Sequence, residues 1–98
     1  GGSLQVGYDV ATYADFSFTG TKITWVGFKS ANRGIANVYV DGMYVRQVDC
    51  YAANSVWKAN MFTATLPAGN HTIRIEWTGT KNALSSGNAI DIDAFDYE

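Results

Sequence analysis

One cysteine, one histidine and one proline are all that the 98 residues contain of three chemically distinctive side chains, and each scarcity closes off a class of function. A lone Cys50 permits neither an intrachain disulfide nor a Cys-x-x-Cys metal site. With His71 it makes the one conceivable nucleophile–base pair, and no nucleophile elbow, phosphate-binding glycine loop or His-Glu-x-x-His helix accompanies it. Charge of one sign is also lacking: Lys+Arg 7 against Asp+Glu 9 gives a net charge of −2 with no block of either sign. A phosphate-neutralising surface needs clustered Lys/Arg, so nucleic acid is not an expected partner. No apolar run approaches the ~20 residues of a membrane-spanning helix, and "GGSLQV" has neither the basic nor the apolar segment of a signal peptide. No membrane partner is expected. The absence of low-complexity tracts argues against an internal linker. We therefore read residues 1–98 as one soluble domain excised from a larger protein. Gly1-Gly2-Ser3 is taken as an appended remnant, and residues 1–12 as a short or irregular N-terminal segment.

What the chain does have is apolar residues at period two. In "YADFSFTG" Ala14, Phe16 and Phe18 alternate with Asp15 and Ser17, and in "IANVYVDG" Ala36, Val38 and Val40 alternate with Asn37, Tyr39 and Asp41. The same pattern holds for "KITWVGFK", "YVRQVD", "VWKANMFTATL", "HTIRIEWTG" and "AIDIDAFDY", giving about seven half-buried strands and no substantial helix. Turns are expected at Gly20, Asn32-Gly34, Asp41-Gly42, Pro67-Gly69-Asn70, Gly79 and Gly87. Asp41-Gly42 is the strongest hairpin signal, because both central residues of a type I′ turn need positive φ. Short strands punctuated in this way favour an antiparallel β-sandwich or barrel. "TGTK" occurs twice: after Phe18 it reads as a tight turn at Gly20, and after Trp77 it opens the longer polar stretch "NALSSGN".

In that order, "FSFTGTKITWVG", "GIANVYVDG", "VDCYAAN", "LPAGNHTIRIEWTGTKN" and "IDIDAFDYE" resemble the galactose-binding-like jelly-roll domains, found as carbohydrate-binding modules akin to families six and thirty-five. The resemblance implies an all-β jelly-roll sandwich and a non-catalytic module that binds a polysaccharide or oligosaccharide. Such a module targets an attached glycan-active enzyme, outside the cell or at its surface, as part of a larger secreted bacterial protein. It also places His71 in a turn, bonded to backbone rather than paired with Cys50. Modules of this kind carry further N-terminal strands, where this chain has only "GGSLQVGYDVAT". An edge left uncovered by their absence would template pairing with another chain, so a homo-oligomer or strand exchange is the alternative expectation, for a structural or protein-interaction module.

Sugars present an apolar C–H face and a rim of hydroxyls, so their sites combine an aromatic platform with fixed polar groups. The resemblance puts the ligand among loops at one end of the sandwich. Carried onto this sequence, those loops offer Lys81 and Asn82 from "TGTKNALSS", Asn32 and Arg33 from "SANRG", and Tyr51 and Trp57 from "CYAANSVW". It further implies a structural calcium at one edge, for which Asp91 or Asp93 near the last strand and Asp9 near the first are the candidates; no other cofactor is required. Asp91 and Asp93 share a face two residues apart in a strand while Asp96 points the other way, so the acids do not form a glycosidase pair.

Overall fold

A computed structural model describes residues 2–10 and 12–98, without the side chains of Gly7, Tyr8, Asp9 and Val10. Within them lie six strands: β1 (Gly2–Val10), β2 (Tyr13–Lys29), β3 (Ile35–Val40), β4 (Met43–Asp49), β5 (Val56–Trp77) and β6 (Ile90–Tyr97). All pairings are antiparallel, in the order β1-β6-β2-β5-β3-β4.

The length of β5 explains how one sheet becomes a sandwich. At ~3.3 Å per residue a straight strand of this length would run about 70 Å, yet β5 has 22 residues in a molecule 39 Å long. It must bend, and β2 bends with it. Between the pairs Gly20↔Gly69 and Lys22↔Thr65, β2 uses one residue where β5 uses three, residues 66–68. Pro67 falls within this bulge, where its missing N–H removes no ladder bond. On the β2 side the Thr21 and Lys22 N–H groups donate to the Glu98 carbonyl, at 2.6 and 3.3 Å. A Cβ at residue 20 would run into that same carbonyl, so close approach requires glycine there. Beyond the bend one layer contains β1, β6, β2 residues 22–29 and β5 residues 56–65; the other contains β2 residues 13–20, β5 residues 69–77, β3 and β4.

The all-β antiparallel sandwich expected from the sequence is therefore present, with three corrections. Gly20 and Pro67-Gly69-Asn70 are bends inside long strands rather than reversals, so four of the seven expected strands merge into β2 and β5. Residues 2–10, expected to be irregular, form β1. That strand pairs with β6, so the β6 edge is covered where an uncovered edge was expected from a missing N-terminal strand. The Asp41-Gly42 turn is as read: φ is 53° and 80°, and Val40 pairs with Met43 across it.

The inward residues of both layers meet in one core, where Trp25, Phe95, Ile23, Ile73, Ile75, Ile90, Ile92, Val38 and Cys50 are fully buried. Each large apolar side chain so buried contributes roughly 1.5–3 kcal/mol. Trp25 also spends its indole N–H on the Asp91 carbonyl at 3.2 Å, and Phe16 stacks on Phe95 with centroids 5.1 Å apart.

Candidate functional site

Three connections meet at one end of the sandwich. The Ser30 N–H donates to the Cys50 carbonyl (3.2 Å) and the Ala52 N–H to the Ser30 carbonyl (3.1 Å), joining the β2–β3 loop to the β4–β5 loop. The late loop joins them through Gly34 N–H to Ala89 O (2.7 Å), Ile35 N–H to Thr80 O (3.0 Å) and Ser86 N–H to Ala31 O (2.8 Å). Buried Ser85 fixes this junction, its Oγ lying 2.7–3.1 Å from the carbonyls of Ala31, Arg33 and Gly87.

Trp57 stands out at this end because it is 75% exposed. A second bulge puts it there: between Gly27↔Ala59 and Lys29↔Val56, Phe28 of β2 faces both Trp57 and Lys58 of β5. Lys58 takes up the extra residue at φ 51°, a left-handed conformation costing a non-glycine residue about 1–2 kcal/mol. Trp57 is thereby set against buried Phe28, with ring centroids 4.3 Å apart and planes tilted by 38°. The Arg33 guanidinium lies over the Phe28 ring at 4.7 Å. Its Nε and Nη2 donate to Asp91 Oδ2 at 2.9 and 2.7 Å, and its Nη1 donates to Asn32 Oδ1 at 2.5 Å. The result is an exposed indole and an immobilised cation that both pack on Phe28, with an exposed amide bonded to the cation.

Of the six residues expected to bind ligand, the structure thus gathers Asn32, Arg33 and Trp57 around Phe28. The side chains of Lys81 and Asn82, and the backbone of Tyr51, serve the loops. Lys81 donates from Nζ to the Ser85 carbonyl (2.8 Å), and Asn82 donates to Asp49 Oδ2 (2.9 Å) while accepting from Leu84 N–H (2.9 Å). Tyr51 is half-buried, forms a backbone bridge with Ser30, and donates its backbone N–H to Asp49 Oδ1 (3.0 Å). Phe28 carries the cluster yet was not legible as a site residue, since its strand pattern reads as core.

The calcium candidates fit less well. Asp91 is committed to Arg33, and the side chain of Asp9, whose backbone pairs with Asp91, lies outside the described residues. Among the described residues no three His, Cys, Asp or Glu side chains come together as a metal site, and Asp9 is not counted among them. The Cys50–His71 pair does not form either. Cys50 is fully buried, which with the nearby Asp49 charge pushes its thiol up to about 12. His71 has both ring nitrogens engaged at 2.6 Å, Nδ1 with Asp41 Oδ2 and Nε2 with the Pro67 carbonyl.

A second functional-looking surface was missed. The outward residues of the β2–β5–β3–β4 layer form a polar, tyrosine-rich ladder in which Arg74 donates to both carboxylate oxygens of Asp15 (2.7 and 2.9 Å) and lies 4.0 Å over the Tyr13 ring. Glu76 Oε1 accepts from Asn37 Nδ2 at 3.0 Å and from the Tyr39 hydroxyl at 3.1 Å. Asn37 Oδ1 is left buried with no hydrogen-bond partner among the described residues, which costs roughly 1–3 kcal/mol. The signal was present in the polar half of each alternation, "YAD", "NVY" and "RIE", which reads by default as a solvated face.

No family model matches the chain. It is 40% identical over 74 residues to an A type blood α-D-galactosamine galactosaminidase of Flavonifractor plautii, covering 76% of this chain and 7% of that protein. It is 30% identical over 96 residues to an A type blood N-acetyl-α-D-galactosamine deacetylase of the same organism, covering 98% of this chain and 11% of that protein. The chain thus spans about a tenth or less of the length of these curated relatives. Similar folds occur in a Paenibacillus xanthan lyase, at TM-score 0.60 and 21% identity over 97% of this chain and 12% of the other. A two-domain esterase active on acetylated mannans, crystallised with mannopentaose, gives 0.58 and 15%, over 85% of this chain and 24% of the other. A family two carbohydrate esterase from Clostridium thermocellum, in complex with cellohexaose, gives 0.52 and 21%, over 99% of this chain and 31% of the other. The chain is an all-β domain similar to small regions of larger carbohydrate-active bacterial proteins.

Proposed function

We propose that the chain is a non-catalytic carbohydrate-binding module that targets an attached glycan-active enzyme to its substrate outside the cell or at its surface. The observation that carries this reading is Trp57, held 75% exposed by a strained bulge next to Arg33 and Asn32. An apolar sugar face would lie on the indole. The Asn32 amide and the guanidinium edge would meet ring hydroxyls, with Tyr51, Lys81 and Asn82 shaping the loops behind them. Burial of a sugar face on a rigid aromatic gives contact area at little entropic cost, and the Arg33–Asp91 pair keeps the polar groups preorganised. The enzymes this chain resembles over small regions make glycans bearing α-linked galactosamine or N-acetylgalactosamine the first probes. Affinity-gel and glycan-array binding should be present in the native chain and vanish in Trp57→Ala. Equal retention of both chains on every glycan would sink the reading.

A second reading, self-association through a sheet edge, is favoured by one observation: on edge strand β4, Met43 is 74% exposed and is followed by exposed Tyr44 and Val45. Sedimentation showing a strict monomer at high concentration would dispose of it.

A further inference from the structure

We propose that the outer face of the β2–β5–β3–β4 layer holds a second site, remote from Trp57, for a ligand with a primary ammonium group: an amino sugar whose amine is free. A groove of about 320 Å³ crosses this face, lined by Asp15, Tyr39, Gly42, Thr72, Arg74 and Glu76. That volume is at the lower end of small-molecule sites and suits a single sugar ring.

Three features of the groove select an ammonium ion. The first is a fixed acceptor. Among the described residues both hydrogen bonds to Glu76 fall on Oε1, from Asn37 and Tyr39, which immobilises the carboxylate and leaves Oε2 facing no donor there. The second is charge. Arg74 is matched by Asp15 in a two-bond ion pair and also feels the charge of Glu76, so Asp15, Glu76 and Arg74 together leave the groove one net negative charge, with Glu76 the carboxylate that Arg74 does not hydrogen-bond. A carboxylate–ammonium hydrogen bond is about twice as strong as one to a neutral hydroxyl. The third is aromatic flanking: Tyr39 meets Tyr44 edge-on at 5.7 Å, and Tyr44 is more than half exposed, giving ring surface for a sugar C–H face or for the cation itself. The buried, unpartnered Oδ1 of Asn37 fits the same picture, because an apolar side chain at that position would avoid the cost but could not orient Glu76.

The choice of a sugar as bearer of the amine rests on the carbohydrate-binding reading above; the site itself does not. The test is an NMR titration of the 15N-labelled 98-residue chain with galactosamine, N-acetylgalactosamine, galactose and lysine amide. Galactosamine is expected to shift the backbone amides around Glu76 and Tyr39, and Glu76→Gln, which keeps the shape and the Oε1 contacts, should weaken it at least tenfold. Tyr39→Phe, removing one of the two bonds that orient Glu76, should weaken it severalfold. Neither N-acetylgalactosamine nor galactose should move these amides. The proposal is overturned if galactosamine moves none of them, if N-acetylgalactosamine moves them equally, or if Glu76→Gln binds as tightly as the native chain. Lysine amide acting as strongly as galactosamine would overturn the assignment to a sugar. Galactosamine shifts confined to the backbone amides around Trp57 and Arg33 would overturn this site while leaving the loop-end reading standing.

Discussion

Replacing Arg33 by Met removes a cation that touches three partners, and the size of the loss can be worked from its burial. The Arg33 and Asp91 side chains are 17% and 13% exposed, closer to a buried pair than to a surface one. Deleting one member of a fully buried pair costs about 3–5 kcal/mol, whereas exposed pairs contribute about 0–1 kcal/mol. Residual exposure discounts the upper figure, and loss of the contact over Phe28 adds a few tenths, so Arg33→Met should destabilise by about 2–3 kcal/mol. Arg33→Met/Asp91→Asn neutralises the stranded carboxylate and should recover at least half of that, because most of the single-variant cost is an uncompensated charge rather than the worth of the pair. The assay is equilibrium urea unfolding. With a slope of about 1–2 kcal/mol per molar for a chain of this size, the single variant's midpoint should fall by about 1–3 M at unchanged slope. A single-variant loss below ~0.5 kcal/mol, or a double variant worse than Arg33→Met, would refute the assignment of this pair as the anchor of the loop end.

His71 makes stability pH-dependent: the Asp41 carboxylate and the Pro67 carbonyl raise its pKa above the ordinary 6.5, so its contribution is complete below that value and lost as pH rises through the higher folded value. Asp41, lowered below 3.8 mainly by His71, loses its share only as pH falls through its own folded value; the melting temperature should therefore sag on the alkaline side, and His71→Asn should flatten that limb. Lys58→Gly relieves the left-handed strain, so urea unfolding should find it as stable as the native chain or up to about 1 kcal/mol more stable, where a loss above 1 kcal/mol would mean that the lysine side chain contributes to the bulge. Chelation with EDTA should change neither melting temperature nor glycan affinity, since the described acids do not assemble a calcium cage; a drop in either would point to ligation by Asp9 with Asp93.

How much of this was legible beforehand depended on whether a local rule had one structural meaning. Period-two alternation has one, and each alternating run lies in a strand. Asp-Gly between two such runs also has one, and Asp41-Gly42 turns as read. Gly20 and Pro67 do not, because glycine and proline mark any break in an ideal ladder, whether the chain reverses or continues through a bend. Only chain length against molecular dimensions separates the two. At the loop end, Asn32, Arg33 and Trp57 were picked out from the sequence, Trp57 as a loop residue though it lies in β5, but Phe28 and Lys58 act through a bulge whose register no local pattern encodes. Asn82 and Lys81 illustrate the converse: polar loop residues whose hydrogen bonds close the loop itself. The Glu76 face was overlooked for a related reason, since alternation states which residues point outward but not that Asn37 and Tyr39 converge on one carboxylate oxygen.

The account centres on a preorganised aromatic surface at Trp57, and the most direct measurement is the change in tryptophan fluorescence on titrating an oligosaccharide bearing terminal N-acetylgalactosamine. Saturable quenching or enhancement is predicted in the native chain. Its loss is predicted in Trp57→Ala at nearly native stability, because an aromatic pair adds only ~0.5–1.5 kcal/mol beyond its buried area and Trp57 leaves 75% of its surface outside the Phe28 contact. Binding that survives Trp57→Ala with unchanged affinity would contradict the account.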